Sequence, residues 1–137
     1  MTKRNIFKAH QERLRAAGLL VLRLAAGGLM LSHGIPKLMK WGTLSDRFPD
    51  PFGVGSPASL ALAIFAEVGC SALLVVGLFT RLATVPLMVT MLVAALMIHG
   101  DDPWSKKELA VVYLLMYATL AMTGPGRFSL DARRKTD

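Results

Sequence analysis

The feature that most constrains this chain is one carboxylate, Glu67, in the middle of an otherwise uncharged apolar run at residues 58–79. About 20 helical residues, each rising 1.5 Å, cover the ~30 Å hydrocarbon layer of a bilayer, so the run is long enough to cross a membrane. A carboxylate at that depth costs at least ~2.5 kcal/mol on insertion scales, and it persists where it faces protein or water and finds a partner. Another apolar run carries the obvious partner, Arg23. The chain is therefore predicted to be a membrane protein with polar groups buried between its helices.

Apolar residues are concentrated in four runs, at about residues 16–35, 58–79, 82–99 and 109–124. The composition is 53% hydrophobic with a mean hydropathy of +0.47, which is too apolar for an ordinary soluble domain. Little chain remains outside the runs. The predicted fold is an all-α integral membrane protein, a four-transmembrane-helix antiparallel bundle, forming a single domain over residues 1–137.

The net charge of +7 is best explained by membrane topology rather than by nucleic-acid binding, because the charges flank the apolar runs. With four crossings, ten basic residues fall on the side that holds both termini and five fall on the other side. The positive-inside rule then places both termini in the cytoplasm of a bacterial inner membrane. A basic start followed by an apolar stretch also resembles a secretory signal. Arg23 interrupts that stretch and no small-x-small cleavage site closes it, so we interpret it as an uncleaved first helix.

Local signals set expectations for the connections. Residues 1–15 are polar and basic and are predicted to form a short amphipathic helix on the inner surface. Pro36 is expected to stop or kink the first span. Residues 41–57 are rich in glycine, proline and aspartate and form the longest predicted loop, on the outer side. Cys70 is the only cysteine, which excludes an intramolecular disulfide or a CxxC redox centre.

Helical spacing places the buried charges on packing faces. Arg23, Gly27, Met30 and Gly34 fall within roughly 60° of one another on the first span, and small residues let neighbouring helices approach closely. Glu67 lies on a similar stripe of small residues in the second span. Arg23 is predicted to lie about 10 Å from the cytoplasmic side of the membrane, and Glu67 about 16 Å from it. An arginine side chain can bridge the remaining ~5 Å between the two residues.

Tyr113 on the fourth span reaches about the level of Glu67, and Tyr117 lies on the same face, one turn deeper. Two interpretations of the Arg23–Glu67 pair stay open: it fixes which helices pack together, or it serves a proton relay or a quinone site.

A second polar cluster is predicted at the outer end of the bundle, formed by His33, Lys37, His99 and Glu108. Two histidines at one membrane level are suited to a quinone carbonyl, a proton or a metal, and the alternative is that they cap helix ends. Neither an HxxxH pair nor a carboxylate at ligand spacing accompanies them, which disfavours a metal or haem.

The closing stretch contains a turn signal, Gly124-Pro125-Gly126, after which Ser129 or Asp131 is placed to cap a short surface helix. No phosphate-binding loop, nucleophile elbow or zincin motif occurs, and the sequence contains no motif for a redox cofactor.

Taken in order, these residues resemble the DoxX family of bacterial membrane proteins. The resemblance rests on Arg23 before a glycine-rich stretch, His33-Gly34 with Lys37, Glu67 with Gly69, and Gly77-Leu78 followed by Thr80-Arg81. It continues with His99, with Lys107-Glu108, and with the closing run from Gly124 to Asp131. No single motif is specific, but the ordered set is, and it covers nearly the whole chain beyond the basic N-terminus.

The resemblance implies a four-helix inner-membrane bundle and a role beside quinone-linked membrane oxidoreductases or oxidative-stress complexes, since the family takes its name from a subunit of a thiosulfate:quinone oxidoreductase. Three functions follow as expectations. The first is a subunit that binds a quinone beside Arg23, Glu67 and Tyr113. The second is a non-enzymatic anchor or assembly partner for an oxidoreductase or for a second copy of the chain. The third is a pathway for a small solute or a proton.

Overall fold

The computed structural model describes residues 2–135, which form helices joined by short connections. Helix α1 is Lys3–Met39 and the single-turn helix α2 is Trp41–Leu44. The longer helices α3, α4 and α5 are Ser56–Val76, Thr80–Ile98 and Trp104–Thr123, and the short helix α6 is Leu130–Arg134. No strand occurs in the described part of the chain, so the all-α class is confirmed.

Three of the four predicted spans are confirmed as helices that are long and apolar enough to cross a membrane, namely α1, α3 and α4. Helix α5 has 20 residues and contains the fourth apolar run up to Thr123. Its first turns carry the charged residues Lys106, Lys107 and Glu108.

The helices pack so that α1 contacts α3 and α5, and α4 contacts the same two helices. Helix α5 starts beside the end of α4, where Lys107 Nζ donates to the Gly100 carbonyl at 2.6 Å. It ends beside the start of α4, where Arg81 donates to the Met122 carbonyl at 3.4 Å. Helix α5 therefore runs antiparallel to α4 along its length. Side chains from all four helices fill the core between them, among them Ala26, Met30, Leu74, Leu87, Tyr117 and Leu120.

Two glycines bring α1 onto α3, as the stripe on the first span predicts. A Cβ at Gly27 would lie 2.9 Å from the Ser71 carbonyl oxygen, and a Cβ at Gly34 would lie 2.8 Å from the Glu67 Cβ. Both distances are too short for any larger residue. The prediction that this stripe is a helix-packing face is confirmed.

Helix α1 is longer than predicted at both ends. No glycine or proline separates residues 3–17, so the basic segment continues directly into the first span instead of forming a separate helix. Of the two outcomes expected at Pro36, a stop or a kink, the stop does not occur, because α1 continues through Pro36 to Met39. Proline removes one N–H from the helix, but Lys40 N still bonds the Pro36 carbonyl at 3.0 Å, and contacts of the last turns with α3 hold the backbone in place.

The loop at residues 45–55 is attached to the start of α3 through Asp50. Its carboxylate accepts hydrogen bonds from Val54 N at 3.0 Å, Gly55 N at 2.8 Å and Ser59 Oγ at 2.8 Å. The hydrogen bond from Ser59, with those from the backbone, holds the pKa of Asp50 below its usual value. This attachment positions the phenylalanines and prolines of residues 48–52 beside α3 and α4.

Candidate functional site

Glu67 is buried as predicted, but its partner is Lys37 rather than Arg23. Lys37 Nζ lies 2.7 Å and 2.6 Å from the two carboxylate oxygens of Glu67. The Glu67 side chain is only 5% exposed, whereas that of Lys37 is 29% exposed. The predicted Arg23–Glu67 pair was therefore wrong. Lys37 lies one helical step beyond Gly34 on the stripe that also carries Arg23, so the stripe marks both cations as candidates and does not choose between them.

Local backbone geometry supports the position of Glu67. Helix α3 widens to π-helical hydrogen bonding over Phe65–Cys70, in the segment that carries the carboxylate. Such widened turns are rare and occur frequently at functional sites. The close approach at Gly34 then brings α1, and with it Lys37, to the widened turn.

Arg23 is buried near the middle of α1, where it binds the C-terminal segment. Its two terminal nitrogens donate to the backbone carbonyls of Pro125 and Phe128, each at 2.6 Å. Arg23 and Lys37 are 14 residues apart, which corresponds to about 21 Å along a helix and places them in different layers of the membrane. The turn Gly124-Pro125-Gly126 exposes carbonyl groups that no helix uses, and this was the only sequence signal for the arginine's partners.

At the same end of the molecule, Asp131 binds the backbone at the start of α4. Its carboxylate accepts from Phe79 N at 2.8 Å and Thr80 N at 2.9 Å, so it satisfies the free N–H groups at the start of α4. Burial acts to raise the pKa of Asp131, but these backbone hydrogen bonds and the charge of Arg134 lower it below its usual value. Ser129 accepts from Ala132 N at 3.1 Å at the start of α6. The predicted cap on the short helix is thus Ser129, and Asp131 caps a different helix.

Tyr113 and Tyr117 share one face of α5, as predicted, and both are buried. Their rings stack with centroids 6.0 Å apart. Tyr117 donates a long hydrogen bond of 3.4 Å to the Ala26 carbonyl. His33 packs edge-on against Tyr113 with centroids 5.8 Å apart, which links α1 to α5.

The predicted outer cluster is divided among different partners. His33 contacts Tyr113, and Lys37 contacts Glu67. His99 Nδ1 lies 2.7 Å from Asp102 Oδ2, and this hydrogen bond lowers the pKa of Asp102. Glu108 is exposed in the first turns of α5. Among residues 2–135, no group of three or more histidine, cysteine, aspartate or glutamate side chains is arranged to hold a metal.

A cavity of about 570 Å³ lies between α3, α4, the end of α1 and the loop before α3. Its lining is mostly apolar, from residues such as Leu62, Ala63 and Val89, and Phe48 and Phe52 contribute from the loop. This size and chemistry are typical of a site for a small apolar ligand.

Three ionisable side chains, Lys37, Glu67 and His99, line this same cavity, whereas Arg23 and Tyr113 do not. The cavity, called the Glu67 cavity below, therefore combines Glu67 from the predicted buried cluster with Lys37 and His99 from the predicted outer cluster. Sequence reasoning missed the cavity itself, because four separate parts of the chain, α1, α3, α4 and the loop before α3, form its walls.

Comparison with known proteins supports the resemblance noted in the sequence. The family model for DoxX matches residues 18–100. The chain belongs to the DoxX family. A protein of Mycobacterium tuberculosis named as an uncharacterized membrane protein is 31% identical, over 83% of this chain and 79% of its own length. The inner membrane protein YphA of Escherichia coli is 33% identical, over 84% of this chain and 89% of its own length. No solved structure matches the chain.

The match and the apolar helices together identify this DoxX protein as a membrane protein. The matched region contains Arg23, Lys37, Glu67 and His99, so the ion pair and the cavity wall lie within the DoxX domain. The tyrosines of α5 and the C-terminal segment that binds Arg23 lie beyond it.

Proposed function

We propose that this DoxX protein is an inner-membrane subunit or accessory of a quinone-linked oxidoreductase or oxidative-stress complex, and that it binds the quinone in the Glu67 cavity. One observation carries the proposal: a buried lysine–glutamate pair and a histidine line an apolar cavity of about 570 Å³ within the DoxX domain. The site therefore lies on the side of Glu67 that faces α4, away from Arg23.

The chemistry of the lining suits both forms of a quinone. The oxidised ring presents two carbonyl acceptors, and the Lys37 ammonium and the His99 imidazole are donors. The reduced ring presents two hydroxyl donors, and the Glu67 carboxylate is an acceptor. Leu62, Val89 and their apolar neighbours provide the surface for the ring and its tail. In this role the chain binds the quinone, and a partner oxidoreductase delivers the electrons.

The proposal includes four membrane crossings, with both termini in the cytoplasm. Helix α5 runs antiparallel to α4 from end to end. Beyond Glu108 it carries no charge, and large apolar side chains on it are exposed, including Leu115 at 61% and Met122 at 75%. Such a surface is stable against lipid and unfavourable in water. The ten-to-five division of basic residues supports the orientation.

Reporter fusions test the topology. Fusions after residue 137 and within the loop near Asp50 are expected to report opposite sides of the membrane, with residue 137 in the cytoplasm. Fusions that report the same side would refute the four-crossing arrangement.

A pair of cavity and surface variants tests the quinone site. Ala63 lines the cavity, whereas Ala61 lies on the same helix and is exposed outside it. Ala63→Phe should fill the site and weaken binding of decylubiquinone, measured by calorimetry in an uncharged detergent, by roughly tenfold or more, a change of ~1.4 kcal/mol. Ala61→Phe should leave the dissociation constant unchanged.

Extraction of the purified protein provides an independent measurement. Wild type and Ala61→Phe should retain a native quinone, and Ala63→Phe should lose it. Equal binding by both variants would place the ligand elsewhere. Absence of quinone together with a stoichiometric protein partner would favour the anchor role instead.

A further inference from the structure

A second cavity, of about 640 Å³, lies at the opposite end of the helices from the Glu67 cavity. The start of α4, the end of α5 and the C-terminal segment form its walls. Four basic side chains line it, Arg81, Arg127, Arg134 and Lys135, and one carboxylate, that of Asp131. Among the described residues, four positive charges and one negative charge leave the lining with a net charge of +3.

The carboxylate does not neutralise the basic side chains by direct pairing. Asp131 uses both of its oxygens to accept backbone hydrogen bonds at the start of α4. Arg81 makes one long hydrogen bond, to the Met122 carbonyl at 3.4 Å, and Arg134 lies over the Phe79 ring at 4.7 Å. Arg127 and Lys135 are exposed. The cavity is therefore suited to an anion.

The walls are held in place before any ligand binds. Arg23 fixes the segment at Pro125 and Phe128, and Asp131 fixes it to the turn before α4. Gly77 in that turn has φ +73°, and a Cβ there would lie 2.5 Å from the Ser129 Cβ. A preorganised wall reduces the ordering that binding requires.

Apolar side chains border the basic lining. Leu82 is 70% exposed and Phe79 is 49% exposed, and both line the cavity. Met122, 75% exposed, lies one residue before the lining residue Thr123. The site thus joins a cationic region to a surface suited to acyl chains.

We propose that this cavity binds the phosphate of an anionic phospholipid headgroup, with the acyl chains along α4 and α5. Basic pockets between membrane helices bind such headgroups through charge-assisted hydrogen bonds.

The test uses the full chain in an uncharged detergent and short-chain lipids as probes. The dissociation constant of diheptanoyl-phosphatidylglycerol is measured by calorimetry for wild type and for the double variant Arg127→Gln, Lys135→Gln. The matched control is Arg4→Gln, Lys8→Gln, which removes the same charge from exposed residues of α1 outside the cavity. Each basic group near an anionic lipid contributes roughly a fivefold change in affinity, so the double variant should bind about 25-fold more weakly and the control should match wild type.

Two further probes separate the possible sources of the phosphate. Diheptanoyl-phosphatidylcholine should bind weakly to wild type, because its headgroup has no net charge. Glycerol 3-phosphate should also bind weakly, because it lacks the acyl chains. If glycerol 3-phosphate binds as tightly as the lipid and with the same dependence on Arg127 and Lys135, the phosphate site stands but its ligand is a soluble phosphate ester, and the lipid assignment is overturned.

Two results would overturn the site altogether. The first is equal binding of the two lipids. The second is an equal loss of affinity in the cavity variant and the α1 control, which would indicate diffuse attraction to a basic protein. Thermal unfolding of both double variants establishes that they are folded, and Arg81→Gln serves as a second cavity variant from a different element, with an expected loss of about fivefold.

Discussion

Removal of Lys37 is expected to destabilise the protein more than neutralisation of Glu67, because the two partners are buried to different extents. The Glu67 side chain is 5% exposed, so Lys37→Met leaves a carboxylate with little access to water. Breaking a buried pair in this way costs about 3 kcal/mol or more. Glu67→Gln leaves a lysine whose side chain is 29% exposed and can be solvated, so the loss should be nearer ~1 kcal/mol.

Thermal unfolding in detergent micelles, followed by circular dichroism, measures the difference. At about 4 °C per kcal/mol for a chain of this size, Lys37→Met should lower Tm by about 12 °C and Glu67→Gln by about 4 °C. The double variant should be more stable than Lys37→Met alone, since a neutral residue at position 67 no longer needs a cation. Lys40→Met, at an exposed position just after α1, is the matched control and should change Tm little. Additive losses, or a loss in Lys37→Met no larger than in the control, would refute the pairing.

The remaining predictions concern the end of the molecule where the C-terminal segment binds. Gly77→Ala should cost about 2 kcal/mol in thermal unfolding, because φ is +73° and the new Cβ would meet Ser129, whereas Gly28→Ala, with nothing within 4 Å of its Cβ, should cost little. Asp131 has a lowered pKa, so its contribution to stability is present above the unfolded value of about 3.9 and is lost as pH falls through the lower folded value. Wild type should therefore lose more stability than Asp131→Asn between about pH 5 and pH 2, and parallel pH profiles would contradict this. Arg23→Gln should weaken its hydrogen bonds to Pro125 and Phe128, costing about 2 kcal/mol and speeding tryptic cleavage of the C-terminal segment. The loss of stability in Arg23→Gln should add to that in Glu67→Gln within about 0.5 kcal/mol, because the two side chains have separate partners. Strong coupling between the two substitutions would support the Arg23–Glu67 pair that was expected from the sequence.

The sequence was informative wherever one helix could be considered alone. Helical periodicity predicted that Gly27, Gly34 and Glu67 lie on packing faces and that Tyr113 and Tyr117 share one face. Each of these predictions depends only on the angle between successive residues. The helix cap formed by Ser129 also depends only on residues close in sequence, since its side chain accepts a hydrogen bond from the backbone N–H three residues later.

Partner choice was less predictable, because a long charged side chain can reach several layers of a bundle. The depths estimated separately for the two spans placed Arg23 and Glu67 within reach of each other. In the folded chain Arg23 contacts a carbonyl 102 residues away in the sequence, and Glu67 contacts Lys37, 30 residues away. Nothing in the pattern of either span encodes where the last segment folds back. Pro36 does not stop α1 for a similar reason. Contacts with α3 hold the last turns of α1 in place, and the local sequence does not encode these contacts.

By itself, the sequence determined that the chain is helical, that it lies in a membrane, and that a few polar groups are buried between its helices. Those outcomes follow from run length, from the cost of charge in hydrocarbon and from the period of the helix. Only the tertiary structure decided which cation stabilises Glu67, where Arg23 binds, and that two cavities lie at opposite ends of α4. Each of these depends on surfaces from at least two elements distant in sequence, and their relative positions are set by the packing of the whole bundle.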